Sequence, residues 1–139
     1  GIDFRFDLIR ATPSSVEAHR LVRYAARAGI ADALVEALFS AHFSEGRDIG
    51  DPSSLALLAQ ECGLDGPAVY RFLIGDDEAE AVHADNLRAH RLGINGVPCF
   101  VIEERHAIAG AQEPEVIERL LDVATVEAAE YQLLEAFRD

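Results

Sequence analysis

The sequence predicts an α/β chain with most of its mass in helices, and three observations predict it. Residues 2–8, Ile-Asp-Phe-Arg-Phe-Asp-Leu, alternate apolar and charged side chains, the period of a half-buried strand. From there to about residue 92 run apolar stripes of helical period, separated by Gly and Pro. An unbroken apolar stretch, Val97-Pro98-Cys99-Phe100-Val101-Ile102, then carries a proline on its lip. Proline cannot donate to a β-ladder, so Pro98 marks the first residue of a strand or an edge. Gly93 and Gly96 turn the chain before it, and a cis bond at Pro98 would leave the backbone of Val97 unpaired beside a cleft.

The elements follow in order. Thr12-Pro13-Ser14-Ser15-Val16-Glu17 starts a helix in which Ser14 and Glu17 form a capping box. Ala18, Leu21, Val22 and Ala25 share its apolar face, and Gly29 is placed to end it. A second helix buries Ile30, Leu34, Val35, Leu38 and Phe39. The stretch Ser44-Glu45-Gly46-Arg47-Asp48-Ile49-Gly50 is a loop. Asp51-Pro52 restarts a helix, aspartate as N-cap and proline in the first turn, and Gly63 stops it. Asp65-Gly66-Pro67 opens a short helix carrying Val69, Phe72 and Leu73. Asp76, Asp77 and Glu78 crowd the start of the next, where the helix dipole favours anions; it runs to about Leu92. Val97 to Ile102 is a strand, Glu103-Glu104-Arg105 a turn, and His106 to Ala109 the returning partner of a hairpin. A helix from Pro114 carries Val116, Ile117, Leu120 and Leu121. Beyond Thr125 a further amphipathic helix carries Val126, Ala129, Leu133, Leu134 and Phe137.

The 139 residues suffice for one domain with a sizeable core. Half are apolar, yet no run reaches membrane-spanning length. A net charge of −13 repels phosphate backbones, which argues against nucleic acid and anionic membranes as partners. Cys62 and Cys99 are too few for a disulfide scaffold and are expected as buried small hydrophobes. The acidic balance and scarce cysteine favour the cytoplasm. The chain has no Met and opens on a strand pattern, so further residues are expected upstream of Gly1.

No metal is expected: His83 and His90 fall two turns apart on one helix without a third ligand. His19 reads as a packing residue or a contact at a helix N-terminus. Asp76-Asp77 and Glu103-Glu104 read as cap and turn residues rather than an acid–base dyad. The loop at 46–50 lacks the lysine and spacing of a phosphate-binding loop, and no serine lies in a nucleophile-elbow context.

Several segments together resemble the DsbA-like branch of the thioredoxin superfamily, especially its FrnE-type and dithiol-disulfide isomerase-like members. They are Phe4-Arg5-Phe6-Asp7, Ala18-His19-Arg20-Leu21, Glu36-Ala37-Leu38-Phe39, Glu45-Gly46-Arg47-Asp48-Ile49-Gly50 and Gly93-Ile94-Asn95-Gly96-Val97-Pro98. Gly110-Ala111-Gln112, followed by Pro114-Glu115-Val116, belongs with them. Each is weak alone; the ordered set, from Gly1 to about Ala124, is fairly specific.

The resemblance implies a thioredoxin-like fold with a helical insertion, the first part of its core absent from this chain. Residues 1–13 and 94–124 would be the partial core, 14–93 the insertion and 125–139 an amphipathic tail. Gly96, Val97 and Pro98 would form the substrate groove beside a cis-proline, and Val97 would pair with an extended peptide or with glutathione. Cys99 departs from the residue usual after that proline and is a candidate reactive thiol, with plain packing the commoner role. The family's C-x-x-C is absent, so no catalytic residue is expected here and the nucleophile is expected upstream of Gly1. In the family's sheet the missing strand lies between the two strands at 2–8 and 97–102. Both would then keep open edges unless upstream residues or a second copy of the chain completes the sheet. No cofactor is implied, glutathione being a substrate. The function implied is a thiol–disulfide oxidoreductase or isomerase. One alternative is a glutathione-dependent isomerase or transferase of the 2-hydroxychromene-2-carboxylate isomerase type; another is a non-catalytic peptide- or partner-binding module.

Overall fold

The computed structural model describes residues 2–102 and 105–136, with side chains as far as residue 127. Two compact units divide the chain, Gly1–Asn86 and Leu87–Asp139.

The first unit is helical: α1 (Val16–Arg27), α2 (Ala31–Phe43), α3 (Pro52–Glu61), α4 (Gly66–Ile74) and the start of α5 (Ala79–Arg91). Its boundaries follow local chemistry. Asp51 accepts from the Ser54 amide at 2.8 Å and Asp65 from the Ala68 amide at 3.0 Å, each capping a helix with Pro in its first turn. Leu21, Leu34, Leu55 and Val69 are fully buried where α1 packs against α2, α3 and α4. Each such side chain contributes roughly 1.5–3 kcal/mol of transfer free energy.

One charged group lies inside this core. Arg20 is 2% exposed, and each of its five donors has an acceptor. Its guanidinium donates to the carbonyls of Phe72 (2.9 Å), Leu73 (2.9 Å), Gly75 (2.7 Å) and Asp77 (2.8 Å), and to the Glu17 carboxylate. Orphan carbonyls at the end of α4 are thereby satisfied by a side chain from α1. The same geometry corrects the expected capping box. Glu17 pairs with Arg20, a charge-assisted bond stronger than a cap amide would give. The N-cap is Ser15, without a side-chain bond, and Ser14 only accepts from the Val16 amide at 3.4 Å.

Residues 2–8 are not the expected strand. They run irregularly into a single 3-10 turn, Phe6–Leu8. An alternating pattern becomes a strand only beside a ladder partner, and the sheet among the described residues is the hairpin of the second unit. Phe4 and Phe6 instead stack on each other at 5.4 Å and meet Phe43 edge-on, while the Arg5 amide donates to the Phe43 carbonyl at 2.7 Å. Gly46, with φ +68°, lets the following loop pass so close to Leu8 that a Cβ there would lie 2.4 Å from the Leu8 Cβ.

The second unit holds the end of α5, a hairpin of β1 (Cys99–Ile102) and β2 (His106–Ala109), and α6 (Pro114–Ala136). The antiparallel register pairs Cys99 with Ala109 and Ile102 with His106. The expected strand therefore starts two residues late, at Cys99. Glu103 and Glu104 of the expected turn, and Phe137, lie outside the described residues. The two helices expected after Pro114 are one. No Gly or Pro interrupts residues 115–136, and the Thr125 hydroxyl bonds back to the Leu121 carbonyl at 2.8 Å. His106 Nε2 and Glu127 Oε2, 3.0 Å apart, tie β2 to α6. No described helix is long and apolar enough to cross a membrane.

Candidate functional site

The candidate site is the passage from α5 into β1. Gly93, in the left-handed region at φ 79°, ends α5. Asn95 then folds back: its Nδ2 donates to the Gly93 carbonyl at 3.2 Å, and its Oδ1 lies 3.3 Å from His90 Nδ1. Gly96 is exposed, with open space where a Cβ would stand. The peptide bond between Val97 and Pro98 is cis. The Pro98 carbonyl accepts from the Gly110 amide at 2.8 Å, extending the hairpin ladder by one bond. Gly110 adopts φ 86°, a conformation L side chains rarely take. Beside it the Gln112 side chain donates to the Ala109 carbonyl at 2.8 Å.

Val97 is 92% exposed, and among the described residues neither its N–H nor its C=O has a hydrogen-bond partner. A donor and an acceptor are therefore free on one residue, immediately ahead of a strand. That arrangement suits addition of an extended peptide segment, the backbone giving affinity and the neighbouring side chains selecting the sequence.

The structure brings Gly96, Val97, Pro98 and Cys99 into one run. Cys99 is half-buried, opens β1 and carries a free thiol. Cys62, also free, stands at the C-cap of α3. Burial, and then the neighbouring Glu61 carboxylate, push its thiol above the ordinary cysteine range. Neither thiol has the helix-N-terminal setting that makes a cysteine nucleophilic.

The histidines form no centre. Among the described residues no three metal-ligating side chains come together. His90 faces Asn95, and His19 and His83 are exposed on the lining of a hollow of about 430 Å³ shared with Arg23 and Asp85. Arg23 in that hollow is engaged by Glu78 and Asp85 at 2.6 and 3.0 Å. The sequence reading assigned no role to Asn95 or Gly110. Both lay in segments quoted for the resemblance, but a hairpin crossing between residues 98 and 110 has no local signature.

The family model of the DSBA-like thioredoxin domain matches residues 1–122. A probable DsbA oxidoreductase from Streptomyces coelicolor is similar in structure, with a TM-score of 0.73 and 34% sequence identity. The alignment covers 82% of this chain and 50% of that one, so the chain matches about half the length of this neighbour. No curated protein matches. The chain belongs to the family of DsbA-like thioredoxin domains.

Proposed function

We propose that this chain is the substrate-holding portion of a DsbA-like thiol–disulfide oxidoreductase. The observation that carries the reading is the free backbone pair of Val97 at the mouth of the hairpin. Family membership supports it, as does likeness to a protein described as a probable DsbA oxidoreductase. The ligand is an extended peptide bearing a thiol or disulfide, or glutathione as the smallest such peptide.

In the reaction of this class a thiolate attacks a disulfide sulfur, giving a mixed disulfide and releasing the other sulfur as thiolate. A second thiol then attacks the mixed disulfide and frees the first. Both electrons pass between one dithiol and one disulfide. The 139 residues hold no C-x-x-C to supply that pair, so their part is to bind and orient. Val97 would fix the peptide backbone, and the half-buried Cys99 thiol would pack beneath it.

Fluorescence anisotropy with a labelled, unfolded, cysteine-containing peptide tests this. Val97→Ala keeps both backbone groups and should bind like the parent chain. Val97→Pro removes the amide and should weaken binding about fivefold, the worth of one hydrogen bond of ~1 kcal/mol. Equal binding by all three chains would refute the reading.

A further inference from the structure

The segment at 2–8 keeps the alternation of a strand without being one, and its apolar side is only partly covered, by Phe43. Ile2 is 72% exposed, Phe4 48% and Phe6 64%. In extended form, successive side chains point to opposite faces. Phe4, Phe6 and Leu8 would then lie on one face, and Arg5 and Asp7 on the other. The backbone is also polarised. The Arg5 amide is committed to the Phe43 carbonyl, so in extended form, with the Leu8–Arg5 and Ile9–Phe6 bonds of the 3-10 turn released, the even-numbered residues would present their N–H and C=O groups to the opposite edge.

That open edge is complementary to itself. In an antiparallel pair of two copies centred on Phe6, Phe4 faces the second copy's Leu8, Phe6 faces Phe6, and Arg5 faces Asp7. The same pairs repeat across the two-fold axis. Apolar side chains meet apolar ones and each charge meets its opposite. Phe4, Phe6 and Leu8 occupy the hydrogen-bonded positions, and Arg5 and Asp7 the non-bonded ones, where cross-strand side chains are closest. In the single chain Arg5 satisfies its own Asp7, at 2.7 Å, and the exchange only moves that bond to the other copy. The local cost is one 3-10 turn, held by the Leu8 and Ile9 amides.

We propose that this edge is a self-association surface, and that its occupant is the same segment of a second copy. Two chains of net charge −13 repel at long range, but beyond about 8 Å that repulsion is screened at physiological ionic strength. The contact pairs then decide. This goes beyond the peptide-binding role of Val97 and concerns different residues.

Sedimentation velocity of the full chain over a concentration series, at about 0.15 M salt, is the test. The parent chain should form a reversible dimer. Arg5→Asp and Asp7→Arg, each placing like charges opposite one another twice, should weaken dimerisation by about tenfold or more. The double variant Arg5→Asp with Asp7→Arg restores opposite charges and should recover the dimer. Both side chains are exposed, so helical circular dichroism should be unchanged in all four proteins. A parent chain that stays monomeric at its highest soluble concentration would overturn the proposal and leave the edge to another occupant. A dimer indifferent to single charge changes, or a helical double variant that stays monomeric, would overturn it as well.

Discussion

Arg20 is the residue on which the helical unit turns. Its value lies in saturation: five donors, five acceptors, in a site closed to water. Replacing it with Met keeps bulk but strands the carbonyls at the end of α4, and should cost about 3–5 kcal/mol in urea unfolding. Arg20→Lys keeps the charge but not the planar fork and should recover only part of that loss. From sequence, Arg20 could be quoted within a family match, but its burial could not be read. An arginine on an apolar helix face is ordinarily a solvated residue. Cys62 makes a second prediction, of opposite sign to a carboxylate's. Its thiol is held above the ordinary range in the folded chain, so the unfolded chain ionises first, from about pH 8.5. Stability linked to this thiol is complete at neutral pH and declines as pH rises past that value. Cys62→Ala should flatten the alkaline fall of the urea midpoint; an unchanged fall would show the slope arises elsewhere.

Among the elements, those closed by their own residues were legible in the sequence. Asp51-Pro52 and Asp65-Gly66-Pro67 predicted the starts of α3 and α4, and the bonds to Ser54 and Ala68 are those a cap requires. Asp51→Ala and Asp65→Ala should each cost about 1 kcal/mol. Glu127→Gln, which disturbs a half-exposed pair with His106, should change stability by less than about 1 kcal/mol in the same assay. What was not legible depends on partners distant in sequence. Ser14 and Glu17 match a capping box, but Glu17 answers to Arg20. Residues 2–8 match a strand, yet a strand is a property of two segments and the pattern describes one. The break expected at Thr125 followed the end of the family resemblance at about Ala124, whereas helix continuity requires only that nothing interrupts the backbone ladder.

At the scale of the whole molecule, the order of segments was the most informative signal. Family membership over residues 1–122 was legible because Gly93-Ile94-Asn95-Gly96-Val97-Pro98 and Gly110-Ala111-Gln112 sit at matching places in that order. The entrance to the candidate site was legible for a local reason: Pro98 cannot donate to a ladder and stands at a strand's entrance or edge. The exposure of Val97 and the bond from Gly110 to Pro98 needed the fold. Chemistry follows the residues present rather than the scaffold. Without a C-x-x-C the 139-residue chain should reduce insulin no faster than buffer with dithiothreitol alone, and turnover above that background would place a nucleophile where none is assigned. The most direct test of the central claim is a backbone amide NMR titration of the chain with an extended peptide carrying a disulfide. The account predicts that the Val97 amide shifts most, with Gly96, Cys99 and Gly110 following. Saturable binding that leaves those four amides unmoved would contradict it.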